Sequence, residues 1–520
     1  MHTQNKQNQT KHKQNQTTKT SHRTLRKMLL QAKLKTFRCI QRWYSSSRAT
    51  IFGLSSGTGK CGVAVLRLSG DACRDVLRCK LKHAKALEPR MAVLRKIYHS
   101  RTAEMIDKGL VLWFPGPNSF TGEDSVEFHV HGGVAVVSAM YDSLESIEGV
   151  RLAEPGEFTK RAFYAGKVDL TEVEGIADLI DAETEAQRKQ AMLQANGELS
   201  KIYNQFRSRL LKCIAGVEAY IDFAEDQDVD DGVLDSVRSD VIKIIADIRV
   251  HLNDFRRGER LRSGVRTVIV GAPNVGKSSF VNTLSNRKVS IVTNVAGTTR
   301  DIIESHHDIG GYPVILADTA GLRLNTSDII EQEGILRAKD YLKEADLIIL
   351  VIDAENVQNY LNVADRRFDN YIDHYVSSLG FNKSILRDSC LLRVVNKVDL
   401  LNNETKAVLR QDESLSFLSC QTGEGLQDVL AQLTENLKQL CGNPSKEAPN
   451  ISQQRYRHHL KACIVYLEKY DTYLNQGSSP DLAIATQHLR NAVRCIGKIT
   501  GTIETEEILD VIFKSFCIGK

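Results

Sequence analysis

Acidic residues are missing from the start of this 520-residue chain: the first is Asp71, whereas residues 1–50 hold 12 Lys and Arg. Without those twelve charges the formal net charge of +5 becomes −7. The mildly acidic body excludes a broad non-specific nucleic-acid surface, though not a local basic patch. Long apolar runs are also missing, and none approaches the roughly 20 residues of a membrane-spanning helix. Leu347-Ile-Ile-Leu-Val-Ile352 is too short and reads as a buried strand. The eleven cysteines form no Cys-x-x-Cys pair and have no histidine at zinc spacing. Their odd number excludes a complete internal disulfide framework and points to a reducing compartment.

The acid-free N-terminus is rich in Gln, Asn, Thr, Lys and His as far as His22. It then becomes basic and helix-compatible, with Leu25, Leu29, Leu30, Leu34 and Phe37 separable from the basic positions. This pattern is that of a mitochondrial presequence, with processing expected after Tyr44, and it directs the protein to the mitochondrial matrix. A basic nucleic-acid-binding arm is the competing reading.

A chain of this length suggests about three domains. Residues 49–165 read as α+β, with strands at Val63–Leu68, Gly109–Phe114 and Ser125–His131. His129 and His131 share a strand face, and without a third ligand nearby a hydrogen-bonding role is expected for them. Residues 166–262 carry helical periodicity: Val173, Ile176, Ala177 and Ile180, then Ile202, Phe206, Leu210, Ile214 and Val217. Residues 263–440 read as α/β and residues 441–520 as helical again. The expected class is therefore multidomain, with an α+β N-terminal domain and a discontinuous helical domain interrupted by an α/β domain.

Within the α/β segment, Gly271-Ala-Pro-Asn-Val-Gly-Lys-Ser278 follows the apolar run Val265–Val270 and precedes a helical pattern. Strand, glycine-rich loop and helix in that order form a phosphate-binding loop, whose amides converge on an anion at a helix N-terminus. Lys277 is placed to reach the β/γ-phosphates and Ser278 to hold Mg²⁺. The nucleotide-binding set expected around it is Asn274, Val275, Gly276, Lys277, Ser278 and Ser279. Downstream, Gly297-Thr-Thr-Arg-Asp301 supplies a switch threonine. Val314–Ala317 then runs into Asp318-Thr-Ala-Gly321, with Asp318 bound to Mg²⁺ through water and the Gly321 N–H facing the γ-phosphate. Asn396-Lys-Val-Asp399 selects the base. The Asp399 carboxylate accepts from guanine N1–H and the exocyclic amine, so the nucleotide is GTP. Ser419 opens the base-contacting loop, although Cys420-Gln421 departs from the more usual Ala-Lys. Leu322 stands where some GTPases carry a water-orienting glutamine.

Together these residues resemble the MnmE (TrmE) family of tRNA-modification GTPases, from about Thr50 to Lys520. The resemblance rests on Val65-Leu-Arg-Leu-Ser-Gly70, Trp113–Asp124, Pro155-Gly-Glu-Phe158, Ala177-Asp-Leu-Ile-Asp181, Gly297–Asp301 and the terminal Cys517-Ile-Gly-Lys520. It implies an enzyme that hydrolyses GTP and, with an MnmG-type FAD protein, modifies carbon 5 of the wobble uridine of mitochondrial tRNAs. The product would be a taurinomethyl or carboxymethylaminomethyl group. It further implies a homodimer through the N-terminal domain, which binds 5-formyl- or 5,10-methylene-tetrahydrofolate; Arg67, Glu127, Lys167 and Lys520 fall on folate-binding positions, and Cys517 nearby. By residue type alone, Arg67 and Glu127 read as a strand-borne ion pair.

The resemblance also implies K⁺-dependent pairing of GTPase domains, with Asn274, Thr293, Val295 and Thr298 as K⁺ ligands. Thr299 falls on the Mg²⁺ threonine and Glu331 on the glutamate that positions the attacking water. The GTP site then includes Thr293, Gly297, Thr298, Asp318, Thr319, Ala320, Asn396, Lys397, Asp399 and Ser419. Glu355–Ser389 is expected to be a surface elaboration. The basic runs Arg256–Arg262 and Arg455–Lys461 read as solvated helix faces. Two other classes remain: an RNA-binding assembly GTPase resembling Era, which would carry a KH domain, and a signalling switch.

Overall fold

A computed structural model describes residues 49–82, 87–223, 232–285, 304–317, 341–362, 368–379, 390–446, 449–475, 481–503, 506–514 and 516–519. The expected presequence and its processing site lie outside them. Two compact units are present, one formed up to Lys167 together with Val511–Lys520, the other Val168–Asp510. Among the described residues no helix is long and apolar enough to cross a membrane.

In the first unit six strands are ordered β3-β4-β5-β2-β1-β6: β1 Thr50–Leu54, β2 Cys61–Ser69, β3 Val93–Tyr98, β4 Met105–Phe114, β5 Ser125–Gly132 and β6 Val150–Leu152. The alternation in β2 and β5 separates two faces. Leu66, Leu68, Val126 and Phe128 are fully buried in the core with Met140 and Leu144 of the helix Val134–Glu145. Arg67 and Glu127 therefore share the opposite face, and they are register partners. His129 and His131 each meet a carboxylate, Glu127 and Asp107 respectively.

The terminal residues, expected with the second helical segment, group with this unit instead. Ser55 Oγ donates to the Gly519 carbonyl at 2.7 Å. A Cβ on Gly519, whose φ is +97°, would stand 2.1 Å from the Leu54 oxygen, so only glycine fits this approach. A Cβ on Gly156 would likewise meet the Phe513 oxygen at 2.3 Å.

The second unit contains a helical core and a sheet. Residues 199–248 and 451–499, on either side of the nucleotide-binding segment, contribute to one apolar cluster with Tyr203, Tyr456, Leu467 and Ile496 fully buried. The helix Leu170–Asp181 starts with a capping box between Asp169 and Glu172, and Glu185–Ala195 with one between Thr184 and Gln187. The sheet is ordered β12-β11-β10-β7-β9-β8, with β7 Val265–Val270, β8 Glu304–Ile309, β9 Tyr312–Ala317, β10 Leu347–Asp353, β11 Cys390–Asn396 and β12 Leu415–Leu418. Only the edge strand β8 runs antiparallel to its neighbour. Every residue of β10 is buried, as the apolar run demands of a strand covered on both faces.

Within 355–389 the helices Ala354–Leu361 and Phe368–Ser378 are not mere surface elaboration. Val357, Tyr371, Tyr375, Val376 and Leu379 are buried against one face of this sheet. The basic runs are solvated only in part: Arg256, Arg257, Arg262 and Lys461 are exposed, while Arg260, Arg455 and Arg457 turn inward. Arg260 pairs with Asp346, Arg262 with Asp178, Arg455 with Glu174, and Arg457 with Asp254 and Glu259. Their short-range pattern is basic, but the carboxylates that neutralise them come mostly from distant sequence.

Candidate nucleotide-binding site

The loop 271–276 lies between β7 and the helix Lys277–Ser285, at the carboxyl end of a parallel sheet where ligands bind in such folds. Two of its residues adopt left-handed backbone, Asn274 at φ +64° and Gly276 at φ +97°. Asparagine is among the few side chains that tolerate this region. At Gly276 a Cβ would stand 2.2 Å from Asn396 Nδ2, so the close approach of β11 also requires glycine. Lys277 Nζ donates to the carbonyls of Gly271 and Ala272, both at 2.9 Å, and burial lowers its pKa from the usual lysine value. Asn274, Ser278 and Ser279 are exposed at the loop, while Val275 is buried beneath it.

Asn396 ties this loop to the base-recognition loop. Its Nδ2 donates to the Val275 carbonyl at 2.8 Å, and its Oδ1 accepts from the Cys420 N–H at 3.2 Å. Lys397 has left-handed backbone at φ +65°, and its Nζ contacts Asp353 Oδ2 at 2.6 Å. Asp353 also caps the following helix through the Glu355 N–H at 2.9 Å. Sequence reasoning missed that double role, for which the only signal is an aspartate ending an apolar strand. Asp399 is exposed on the 3-10 turn Val398–Leu400. Ser419 is fully buried, its hydroxyl accepting from Thr422 N–H at 3.1 Å, and Cys420 supplies its backbone to Asn396. The Cys420 departure thus keeps the backbone contact on which the loop depends.

The structure brings together Asn274, Val275, Gly276, Lys277, Ser278, Ser279, Asn396, Lys397, Asp399 and Ser419 at one end of the sheet. Thr293, Val295, Gly297, Thr298, Thr299, Asp318, Thr319, Ala320, Gly321 and Glu331 lie outside the described residues. Of the Mg²⁺ set the hydroxyl of Ser278 is present, and of the K⁺ set the side-chain carbonyl of Asn274. Both are exposed oxygen donors and fit such hard cations.

In the first unit Arg67 Nε contacts Glu127 Oε1 at 3.0 Å, and His129 Nε2 contacts Glu127 Oε2 at 3.2 Å. Among the described bonds Arg67 engages Glu127 through Nε alone, which leaves its terminal amino groups able to serve an anionic ligand such as a folate carboxylate. Lys167 is exposed, with Cε 3.4 Å from a Cβ built on Gly122. Cys517 is exposed, whereas Lys520 lies outside the described residues.

The family model described as GTP-binding protein TrmE N-terminus matches residues 50–167, and that described as MnmE helical domain matches 170–517. The chain is 48% identical over 482 residues to the mitochondrial 5-taurinomethyluridine-tRNA synthase subunit GTPB3 of Danio rerio, covering 91% of this chain and 93% of that protein. It is 47% identical to the Homo sapiens protein of the same name, with 91% and 94% covered. It is 45% identical to the tRNA modification GTPase MnmE of Rickettsia akari, with 91% and 100% covered.

Proposed function

The chain belongs to the MnmE (TrmE) family of tRNA-modification GTPases, and from that premise we propose that it couples GTP hydrolysis to modification of carbon 5 of the wobble uridine in mitochondrial tRNAs. The observation that carries this reading is the joined phosphate and base loops, in which Asn396 holds Val275 and Cys420 while Lys277 and Asp399 mark the two ends of a guanine nucleotide. The mitochondrial relatives named for 5-taurinomethyluridine favour the taurinomethyl product and agree with a basic, acid-free N-terminus. The reaction takes place in the mitochondrial matrix, with an MnmG-type FAD protein as partner. The protein works as a homodimer through its first unit, and the nucleotide domain is an insertion in the helical one.

Arg67, Glu127, Lys167 and Lys520 hold a tetrahydrofolate, which supplies the one-carbon unit when bound. Ser278, Thr299 and Asp318 hold Mg²⁺; Asn274, Thr293, Val295 and Thr298 hold K⁺. When held there, Mg²⁺ and K⁺ would supply positive charge against the negative charge developing at the β- and γ-phosphates. Lys277 reaches the same phosphates, Glu331 orients the attacking water through a second water, and the Gly321 amide faces the γ-phosphate. The Leu322 side chain has no polar atom with which to orient water.

Mass spectrometry of mitochondrial tRNA after loss of the protein is expected to show wobble uridines lacking the carbon-5 group. Unchanged uridines would remove the substrate assignment. For the cation, GTP turnover is expected to be faster in KCl than in NaCl. Asn274→Ala should lose that difference while still binding GTP; a variant that kept full K⁺ stimulation would remove Asn274 from the ligand set.

A further inference from the structure

We propose that Tyr375 is a positioning residue of the GTPase site, a strut that sets the entry of the phosphate-binding loop from the helix Phe368–Ser378. The inference rests on the GTPase reading and gives the segment 354–379 a part in it. Tyr375 Oη accepts the Ala272 N–H at 2.7 Å and donates to the Val351 carbonyl at 2.9 Å. One hydroxyl thus bridges the second residue of the loop and the central strand β10. The residue is only 7% exposed, and burial raises its pKa, so the hydroxyl keeps the proton it donates.

The ring is held in place by other rings. It stacks on Tyr371 with centroids 5.7 Å apart and planes 11° apart, and Tyr371 in turn meets the edge of Tyr360 at 5.2 Å and stacks on Phe368 at 6.2 Å. The loop presses directly on this support. A Cβ on Gly271 would stand 2.5 Å from the Val351 oxygen and 3.3 Å from Tyr375 Oη. The residue Ala272 is therefore held from two sides, its N–H by Tyr375 and its carbonyl by Lys277. Lys277 is the side chain assigned to the phosphates, so the tyrosine governs the geometry of the loop without touching the nucleotide.

Tyr375→Phe keeps the ring and its stacking but leaves the Ala272 N–H and the Val351 carbonyl without this partner. An interaction of that kind is worth roughly tenfold in binding. The expected result is a rise of about tenfold in the GTP KM and in the GDP Kd, with kcat at saturation changed by less than about threefold, the signature of lost uniform binding. Tyr371→Phe is the comparison. It removes a hydroxyl from the same aromatic stack that has no bond to the loop among the described residues, and it should leave both constants within about twofold.

A purely structural role would lower the melting temperature of either variant without moving KM. Wild-type KM and Kd in Tyr375→Phe, or an equal rise in both variants, would overturn the strut. A wild-type protein that neither binds nor hydrolyses GTP would instead overturn the GTPase reading itself, and the strut with it.

Discussion

Asp399→Asn is expected to exchange the nucleotide preference of the enzyme from GTP to XTP. In the proposed site the carboxylate accepts from guanine N1–H and from the exocyclic amine. An asparagine amide offers a donor where the amine also donates, so guanine then meets a mismatch. Xanthine carries a carbonyl in place of that amine and restores the pairing. A site built to hydrogen-bond a substrate group can reject a mismatch by 10⁴ or more when the mismatch is buried. Asp399 is exposed on its turn, so solvent relieves part of the cost, and a loss on the order of 10³ in kcat/KM for GTP is the better expectation. The measurement is kcat/KM for both nucleotides in wild type and variant. A variant that still preferred GTP by the wild-type ratio would show that Asp399 does not read the base. The same exposure predicts an unchanged melting temperature, which separates a binding effect from a folding one.

The largest effect on stability is expected from Arg455→Ala. Arg455 Nη2 contacts Glu174 Oε2 at 2.8 Å, and Nη1 donates to the Lys498 carbonyl at 2.7 Å. Glu174 also receives the Tyr456 hydroxyl. Three helices, Leu170–Asp181, Gln454–Leu474 and Leu482–Thr500, are thus joined through the Arg455–Glu174 pair, the first by the carboxylate and the third by the Lys498 carbonyl. Removing the arginine leaves Glu174 buried without its counter-charge, which costs about 3–5 kcal/mol.

Arg249→Ala, which breaks the exposed pair with Glu468, is expected to cost less than about 1 kcal/mol. Burial already raises the Glu174 pKa from its ordinary 4.5, with Arg455 opposing that rise. Without Arg455 it climbs further, and a raised carboxyl pKa favours the native state below the unfolded value. The deficit in Arg455→Ala should therefore be smallest below about pH 4.5 and grow as pH rises through the native pKa. Urea unfolding of both variants across pH tests this. Equal losses in the two, or a deficit independent of pH, would contradict the role assigned to the buried pair.

The readable parts of this protein are those whose physics is local. Gly271–Ser278 announces a phosphate loop because backbone curvature, a helix start and a lysine must occur together within eight residues. Leu347–Asp353 announces a central strand because a strand covered on both faces must be apolar throughout. The alternation in Ser125–Gly132 separates Glu127 and His129 from the core before any partner is known. Asp353 was less readable, since an aspartate ending a strand does not state that it will hold Lys397, 44 residues later. The basic runs misled because charge pattern does not reveal whether acids elsewhere will neutralise it.

The sequence by itself determined that the chain binds a guanine nucleotide, which elements flank the loop, and which family it belongs to. Those properties follow from residue type at fixed short spacing. Only the tertiary structure decided that Tyr375 holds Ala272 103 residues away, that Arg455 neutralises Glu174 across 281 residues, and that Gly519 closes on β1. Apolar periodicity names the face a helix buries but not the surface that receives it. Hydrogen bonds and ion pairs between distant residues form only after packing has brought those surfaces together.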